Sequence, residues 1–355
     1  MKIVILGNMG YVGPVVTQHL RKIYPTATIV GFDTGFFSSS LTDADYLPER
    51  ELNQQYFGDI RNFPDEILHG ANVVINLAAI SNDPMGSRFE KVTMDINYHA
   101  CVKIAKRARA MGASSFIFAS SCSVYGATKG KAVESSNVNP LTAYARSKVY
   151  TERDLKPLAN EDFTITCLRF STACGMSSRL RLDLVLNDFV ASALLSKQIT
   201  ILSDGTPWRP LINVSDMALA IDWAIGRSPA PGAFIAINVG SEEWNYQVKD
   251  LAEAVASIIR DVKVSINASA PADKRSYQVD FGFYKIVAPM HQPQCDLLST
   301  IQYLKSGLEA MDFKNKDFRN SSYMRLNKLT ALQDKGQLSD DLRWSFENQP
   351  VMIEK

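Results

Sequence analysis

Little in this chain of 355 residues points to a metal, a membrane or a nucleic acid. Cysteine is scarce: Cys101, Cys122, Cys167, Cys174 and Cys295 make five. An odd number without Cys-x-x-Cys spacing gives neither a disulfide framework nor a zinc site. Long apolar runs are missing. The opening Met1-Lys2-Ile3-Val4-Ile5-Leu6-Gly7 stops at glycine, too short for a signal-peptide core and far too short to span a bilayer. An excess of one charge is missing too, since 38 Lys and Arg face 37 Asp and Glu, a net +1. That balance supports neither non-specific nucleic-acid binding nor adhesion to an anionic membrane. An anionic ligand must then be held by locally placed cations and backbone amides. The expectation is a soluble, reduced, cytoplasmic protein without a metal. With 46% hydrophobic and 21% charged residues, it has the length for one large domain or a core plus a smaller lobe.

What is present is alternation. Short apolar runs at Lys2–Leu6, Thr28–Asp33, 73–78, 115–120 and Thr164–Phe170 read as strands. Between them lie helical patterns at 14–23 and 95–111, the second with Ile96, Ala100, Ile104, Ala108 and Met111 along one stripe. Strands apolar throughout and separated by helices imply a parallel sheet covered on both faces. After Phe170 the character changes: Arg179, Arg181, Asp183 and Asn187 make an irregular polar stretch, and Pro207 and Pro210 flank Trp208-Arg209. The chain returns to the core at 211–226 and 234–240. Beyond Ser241 come helix patterns at 247–259 and 297–311. The expected division is a core of residues 1–170, rejoined by 211–240, with 171–210 and 241–355 forming a smaller substrate-binding lobe and C-terminal extension. The stretch 314–343, polar with scattered leucines, suggests no role.

Gly7, Gly10 and Gly13 form Gly-x-x-Gly-x-x-Gly where the first strand passes into the first helix. Such glycines permit a tight turn, close approach of backbone to a pyrophosphate, and close helix–strand packing, while the helix N-terminus offers free N–H groups. Asp33 follows Gly13 by 20 residues, at the end of the second strand. A carboxylate there binds the adenine ribose hydroxyls and repels a 2′-phosphate, favouring NAD over NADP. The plainer alternative is that Asp33 caps a turn. The predicted fold is α/β: a Rossmann-type, doubly wound parallel sheet with the smaller C-terminal lobe.

Tyr144-Ala145-Arg146-Ser147-Lys148 sets Tyr and Lys four apart, on one helix face. A free tyrosine, with a pKa of about 10, is a poor base at neutrality, and a fixed ammonium nearby would lower it. Tyr144 could then move a hydroxyl proton while hydride moves to or from a nicotinamide. On its own the pair marks no more than a surface helix. Upstream, however, Phe116–Gly126 reads as a buried strand ending in hydroxyl residues, and ligands of open parallel sheets bind at the carboxyl ends of strands.

Taken together, Gly7–Gly13, Gly58-Asp59-Ile60, Asn76-Leu77-Ala78-Ala79, Ser120–Gly126, Tyr144–Lys148, Leu168-Arg169-Phe170 and Arg209–Ala218 resemble the extended short-chain dehydrogenases/reductases that act on nucleotide sugars. The resemblance covers roughly residues 1–280. It implies that Asp59 and Ile60 face the adenine, that Leu77, Ala78 and Ala79 line the cofactor, and that Asn97, on a helix near the active site, is a further cofactor contact. It implies Ser121, Tyr144 and Lys148 as the catalytic set, with Tyr144 and Lys148 also touching NAD. Arg209 would hold the substrate diphosphate, Arg275 would be a second phosphate contact, and Ser171 and Asn187 would complete the substrate site. Two departures stand out. Family dehydratases carry Asp-Glu where this chain has Cys122-Ser123, and Arg169-Phe170 is followed by Ser171 rather than Asn. Cys122 and Cys174 read as packing residues, because no histidine neighbours either.

The resemblance implies an NAD-dependent epimerase of a nucleotide sugar, acting by transient oxidation at carbon 4. The alternatives are a 4-ketoreductase or dehydrogenase using the same residues and, more remotely, a non-catalytic NAD-binding scaffold. It further implies a homodimer through helices 95–111 and Ala143–Leu155, with Ile104, Val149 and Leu155 as the apolar hint.

Overall fold

The computed structural model describes residues 1–42, 47–267 and 275–345. Seven strands build the main sheet: β1 (Lys2–Leu6), β2 (Thr28–Asp33), β3 (Gln54–Phe57), β4 (Val73–Asn76), β5 (Ser115–Ser121), β6 (Thr164–Phe170) and β7 (Phe234–Val239). Their order is β7-β6-β5-β4-β1-β2-β3, and every neighbouring pair is parallel. The strand order reverses between β1 and β4, the switch point at which such sheets bind ligands.

Alternation along β1 explains the two layers. Val4 and Leu6 join one core with Phe116, Phe118 and the helix α2 (Cys101–Ala110). Ile3 and Ile5 join the other with α1 (Gly13–Ile23) and, later in the chain, Met217 to Ala224. The helix expected at 95–111 is not uniform: Asp95–Ala100 is a π turn that runs into α2. Ile104, and Leu155 at the end of α3 (Ala143–Leu155), are buried in the first core, and Lys103, Lys106, Arg109 and Ala110 are the exposed residues of α2. Ile104 and Leu155 are therefore spent inside the protomer, while Val149 is half-buried beside the small cluster of Val124, Tyr125 and Phe281. The edge strand β3 had no apolar pattern to announce it, since Gln54, Tyr56 and Phe57 are exposed.

The lobe has its own core. The helices α4 (Val185–Ser196), α6 (Val248–Ile258) and α7 (Leu297–Ala310) pack together through Phe189, Leu251, Val255, Ile301 and Leu304. The helix α5 (Val214–Gly226) lies between them in sequence but covers the main sheet. A three-stranded sheet, Asn245–Gln247, Trp208–Asn213 and Thr172–Cys174, joins lobe to core. The final stretch departs from the expected division. Leu329 and Leu332 of α8 (Arg325–Asp334), with Leu338 and Leu342, sit in the first core with Val4 of β1 and Val30 of β2, so residues 329–342 pack on the nucleotide-binding side.

Candidate active site

The carboxyl ends of β1, β2, β4, β5 and β6 open on one cavity of about 1120 Å³. That exceeds the roughly 300–1,000 Å³ of an ordinary small-ligand pocket, so the space takes more than one ligand group. At one end lies the glycine loop. Gly7 has φ +81°, and a Cβ there would stand 2.5 Å from the Ala78 nitrogen; a Cβ on Gly13 would stand 2.0 Å from the Asn8 carbonyl oxygen. Gly10 differs, since its Cβ would meet only the Gly7 oxygen at 3.4 Å. Gly7 and Gly13 are glycine because the chain itself passes close. Gly10 leaves room open to the cavity, where a pyrophosphate fits, and α1 begins just beyond with no side-chain cap on its N-terminal N–H groups.

Asp33 lines the same end and also caps its turn: its carboxylate accepts from Met9 N at 2.9 Å and from Gly35 N at 2.8 Å. Burial raises its carboxyl above the usual range, while those two N–H groups and Arg179 pull it down. Ile60, Leu77, Ala78 and Ala79 line the cavity as the resemblance implied. Asp59 does not. Its carboxylate is taken by the Arg61 guanidinium and caps the Ile60–Asn62 turn, with Arg343 at 3.5 Å.

At the other end stand Ser121, the last residue of β5, and Tyr144 and Lys148 on α3, all three lining the cavity. Thr142 starts the helix by accepting from Ala145 N at 3.1 Å, and its hydroxyl donates to Asp83 at 2.7 Å. Behind β5, Ser120 donates to Glu152, which holds Arg169 at 2.7 Å, and Arg169 donates to Tyr125 at 2.9 Å. This buried network fixes the strand end that carries Ser121.

The electrostatics differ from the sequence expectation. Burial pushes the Tyr144 phenol up to about 12, although its hydrogen bond with Ser121 and the charge of Arg181 pull it down. Lys148 does not offset that burial. Its Nζ lies 5.4 Å from the Tyr144 ring centroid, 4.7 Å from that of Phe118, and donates to Ala119 O at 2.7 Å. Burial also pushes the Lys148 amine down to about 8.

Two residues taken for ligand contacts turn out to be internal pins. Asn97 accepts from Ile80 N at 2.8 Å and donates to Ile80 O and to Ser147, holding the strand-to-helix loop. Asn187 accepts from Gly175 N at 3.0 Å and donates to Arg181 O at 3.0 Å. Both side chains are fully buried with their polar atoms satisfied within the chain. Ser171 lines the cavity and donates to Val239 O at 3.2 Å. Arg209 and Arg275 line it as well: Arg209 donates to the Trp208 and Arg275 carbonyls, and Arg275 pairs with Asp83 at 2.7 Å. Asp273 and Lys274, read beside Arg275, lie outside the described residues.

Sequence reasoning assigned no role to Arg181, which donates to Asp183 at 2.6 Å and to Ser81 at 2.8 Å, with Asn82 also donating to Asp183 at 2.7 Å. Burial would raise the Asp183 carboxyl, but Arg181 and Arg325 hold it below the usual range. The Arg-x-Arg-x-Asp spacing of 179–183 was the visible signal. Cys122 and Cys174 are buried, their thiols donating to Arg169 O and Ile212 O, and burial pushes Cys122 up to about 12. Among the described residues no group of three or more His, Cys, Asp or Glu could hold a metal, and no helix is long and apolar enough to cross a membrane.

The model of the NAD dependent epimerase/dehydratase family matches residues 3–240. The chain belongs to this family. As a member it is an NAD-dependent enzyme, and the glycine loop and the open space over Gly10 fit that cofactor. A Bacillus subtilis (strain 168) protein described as an uncharacterized UDP-glucose epimerase, YtcB, is 28% identical over 271 residues, 74% of this chain and 82% of that protein. Two solved structures share the family member's fold. The UDP-glucuronic acid 4-epimerase from Bacillus cereus, in complex with UDP-glucuronic acid and NAD, has a TM-score of 0.75 at 22% identity, over 88% of this chain and 100% of that one. MoeE5 in complex with UDP-glucose and NAD has a TM-score of 0.73 at 20% identity, over 87% and 99%.

Proposed function

We propose that this enzyme epimerises a nucleotide-activated sugar by transient oxidation of a ring hydroxyl, at carbon 4. One observation carries the reading: the glycine loop with Asp33, the set Ser121, Tyr144 and Lys148, and Arg209 with Arg275 all line a single cavity. NAD, when bound, supplies the hydride acceptor and returns the hydride. The Tyr144 oxygen takes the proton of the reacting hydroxyl and gives it back. Ser121, hydrogen-bonded to Tyr144, orients that hydroxyl. A phenol held near 12 needs added positive charge to serve as a base at neutral pH; Arg181 already pulls it down, and the Lys148 amine stands 5.4 Å from the ring centroid. Arg209 and Arg275 hold the diphosphate through charge-assisted hydrogen bonds.

The similarity to YtcB and to the UDP-sugar epimerase supports a nucleotide sugar as substrate. Elimination of water is disfavoured, since Cys122 stands where dehydratases of the family carry an acid and its thiol is buried and pushed up to about 12. The test is incubation with a panel of nucleotide sugars, with and without added NAD(H), the products resolved by chromatography and NMR. An epimer formed with no net change in NAD(H) is the expected result. Stoichiometric NADH would make the enzyme a one-way dehydrogenase, and loss of water would overturn the epimerase reading.

A further inference from the structure

Arg325 opens α8, in the segment beyond the family match, yet it lines the cavity. Its side chain is 2% exposed. Nη2 donates to Arg179 O at 2.7 Å, and the guanidinium lies 4.4 Å from the centroid of the Phe37 ring. Nη1 is buried and, among the described residues, has no hydrogen-bond partner. The neighbouring arginines are matched: Arg179 pairs with Glu49 at 2.7 Å and Arg181 with Asp183 at 2.6 Å. Among the described residues Arg325 has no such carboxylate, since Asp183 reaches only its backbone N–H, at 3.4 Å.

An unmatched buried cation destabilises the fold, because its desolvation is not offset. Burial, then the like charge of Arg181, push Arg325 down to about 9. A wall that keeps such a charge is suited to an anion. The surroundings say which one. Arg325 shares its electrostatic environment with Tyr11 of the glycine loop and packs on Phe37, four residues past Asp33. Arg209 and Arg275, by contrast, gather around Asp83 and Trp208.

We propose that Arg325 is a cofactor-binding residue, the counter-charge for the dinucleotide's diphosphate, so that the segment after residue 240 completes the cofactor site. This rests on the reading that the glycine loop holds NAD.

The experiment titrates NAD+, ADP, adenosine and UDP by calorimetry against the wild-type enzyme and Arg325→Met. The variant should bind NAD+ and ADP about 10–100-fold more weakly, with a shallower salt dependence. Adenosine, which lacks phosphate, and UDP, a probe of the other diphosphate site, should change less than about twofold in the same comparison. Equal loss for ADP and adenosine, loss for UDP alone, or no loss at all overturns the proposal. If Arg325→Met does not fold, Arg325→Lys serves. It keeps the charge without the planar fork, so ADP should weaken more than adenosine and the salt dependence should persist; equal weakening overturns the proposal. A wild-type enzyme that binds neither NAD+ nor ADP would instead overturn the reading of the glycine loop itself.

Discussion

The two ends of the cavity are built from different materials. The glycine-loop end is a matter of backbone: Gly7 and Gly13 sit where a Cβ would meet main-chain atoms at 2.5 and 2.0 Å, and Gly10 keeps a space open. The Tyr144 end is a matter of buried ionisable groups, with Tyr144 pushed up to about 12, Lys148 down to about 8, and Arg181 closed on Asp183. Steric fit tolerates no substitution but costs no desolvation. Buried charge costs stability and is retained where chemistry or an anion uses it. The comparison predicts that changes at the first end break the fold or the cofactor site, whereas changes at the second break turnover and can leave the protein more stable.

The largest effect belongs to Gly13→Ala. Its Cβ would overlap the Asn8 backbone, so a loss on the order of 4–5 kcal/mol, enough to leave little folded protein, is expected in thermal denaturation. Gly10→Ala should melt like the wild-type enzyme and lose only NAD binding. Equal damage from both would erase the distinction between chain packing and ligand space. Next is Tyr144→Phe. Turnover should fall about 10²–10⁴-fold, while NAD binding, read by titration, stays nearly intact because the ring still packs.

Lys148→Met should sharpen the contrast, lowering turnover and NAD binding while raising the stability of the free protein. The amine is held near 8 in the fold, below its ordinary value of 10.5, so the unfolded chain binds more protons between those values. Burying Lys148 thus costs stability in full below about pH 8, and the cost fades as pH rises toward 10.5. The gain on removing it, on the order of 1–3 kcal/mol near neutrality, should therefore shrink above pH 8. A gain that grows with pH would contradict the assignment. The smallest effect is Asp33→Ala, which should narrow the preference for NAD over NADP measured by fluorescence. Two N–H groups lose their acceptor as well, so weaker NAD binding accompanies the change.

The steric end was legible in the sequence because its elements are local. A glycine spacing, an apolar run before it and an acid 20 residues on lie within one strand–helix–strand unit, and β1, α1 and β2 fall as read. The apolar strands gave the parallel sheet for the same reason. The charged end was legible in its helix, Tyr144 and Lys148, and in the strand that ends at Ser121. Its other partners meet across the chain: Arg181 with Ser81 and Arg275 with Asp83. No spacing rule carries such pairs. Asn97 and Asn187 were misjudged because a buried amide that pins backbone and one that faces a ligand look alike in sequence. The leucines of 314–343 had no periodic pattern, because they reach the core from a short helix and a loop.

The central claim is that hydride leaves a ring carbon and returns to it, with Tyr144 moving the proton. A nucleotide hexose deuterated at carbon 4, turned over in ordinary water and followed by NMR and mass spectrometry, tests it directly. The account predicts an epimer that keeps its deuterium at carbon 4, and no such product from Tyr144→Phe. Deuterium lost to water during epimerisation would mean proton abstraction at carbon, and would contradict the account.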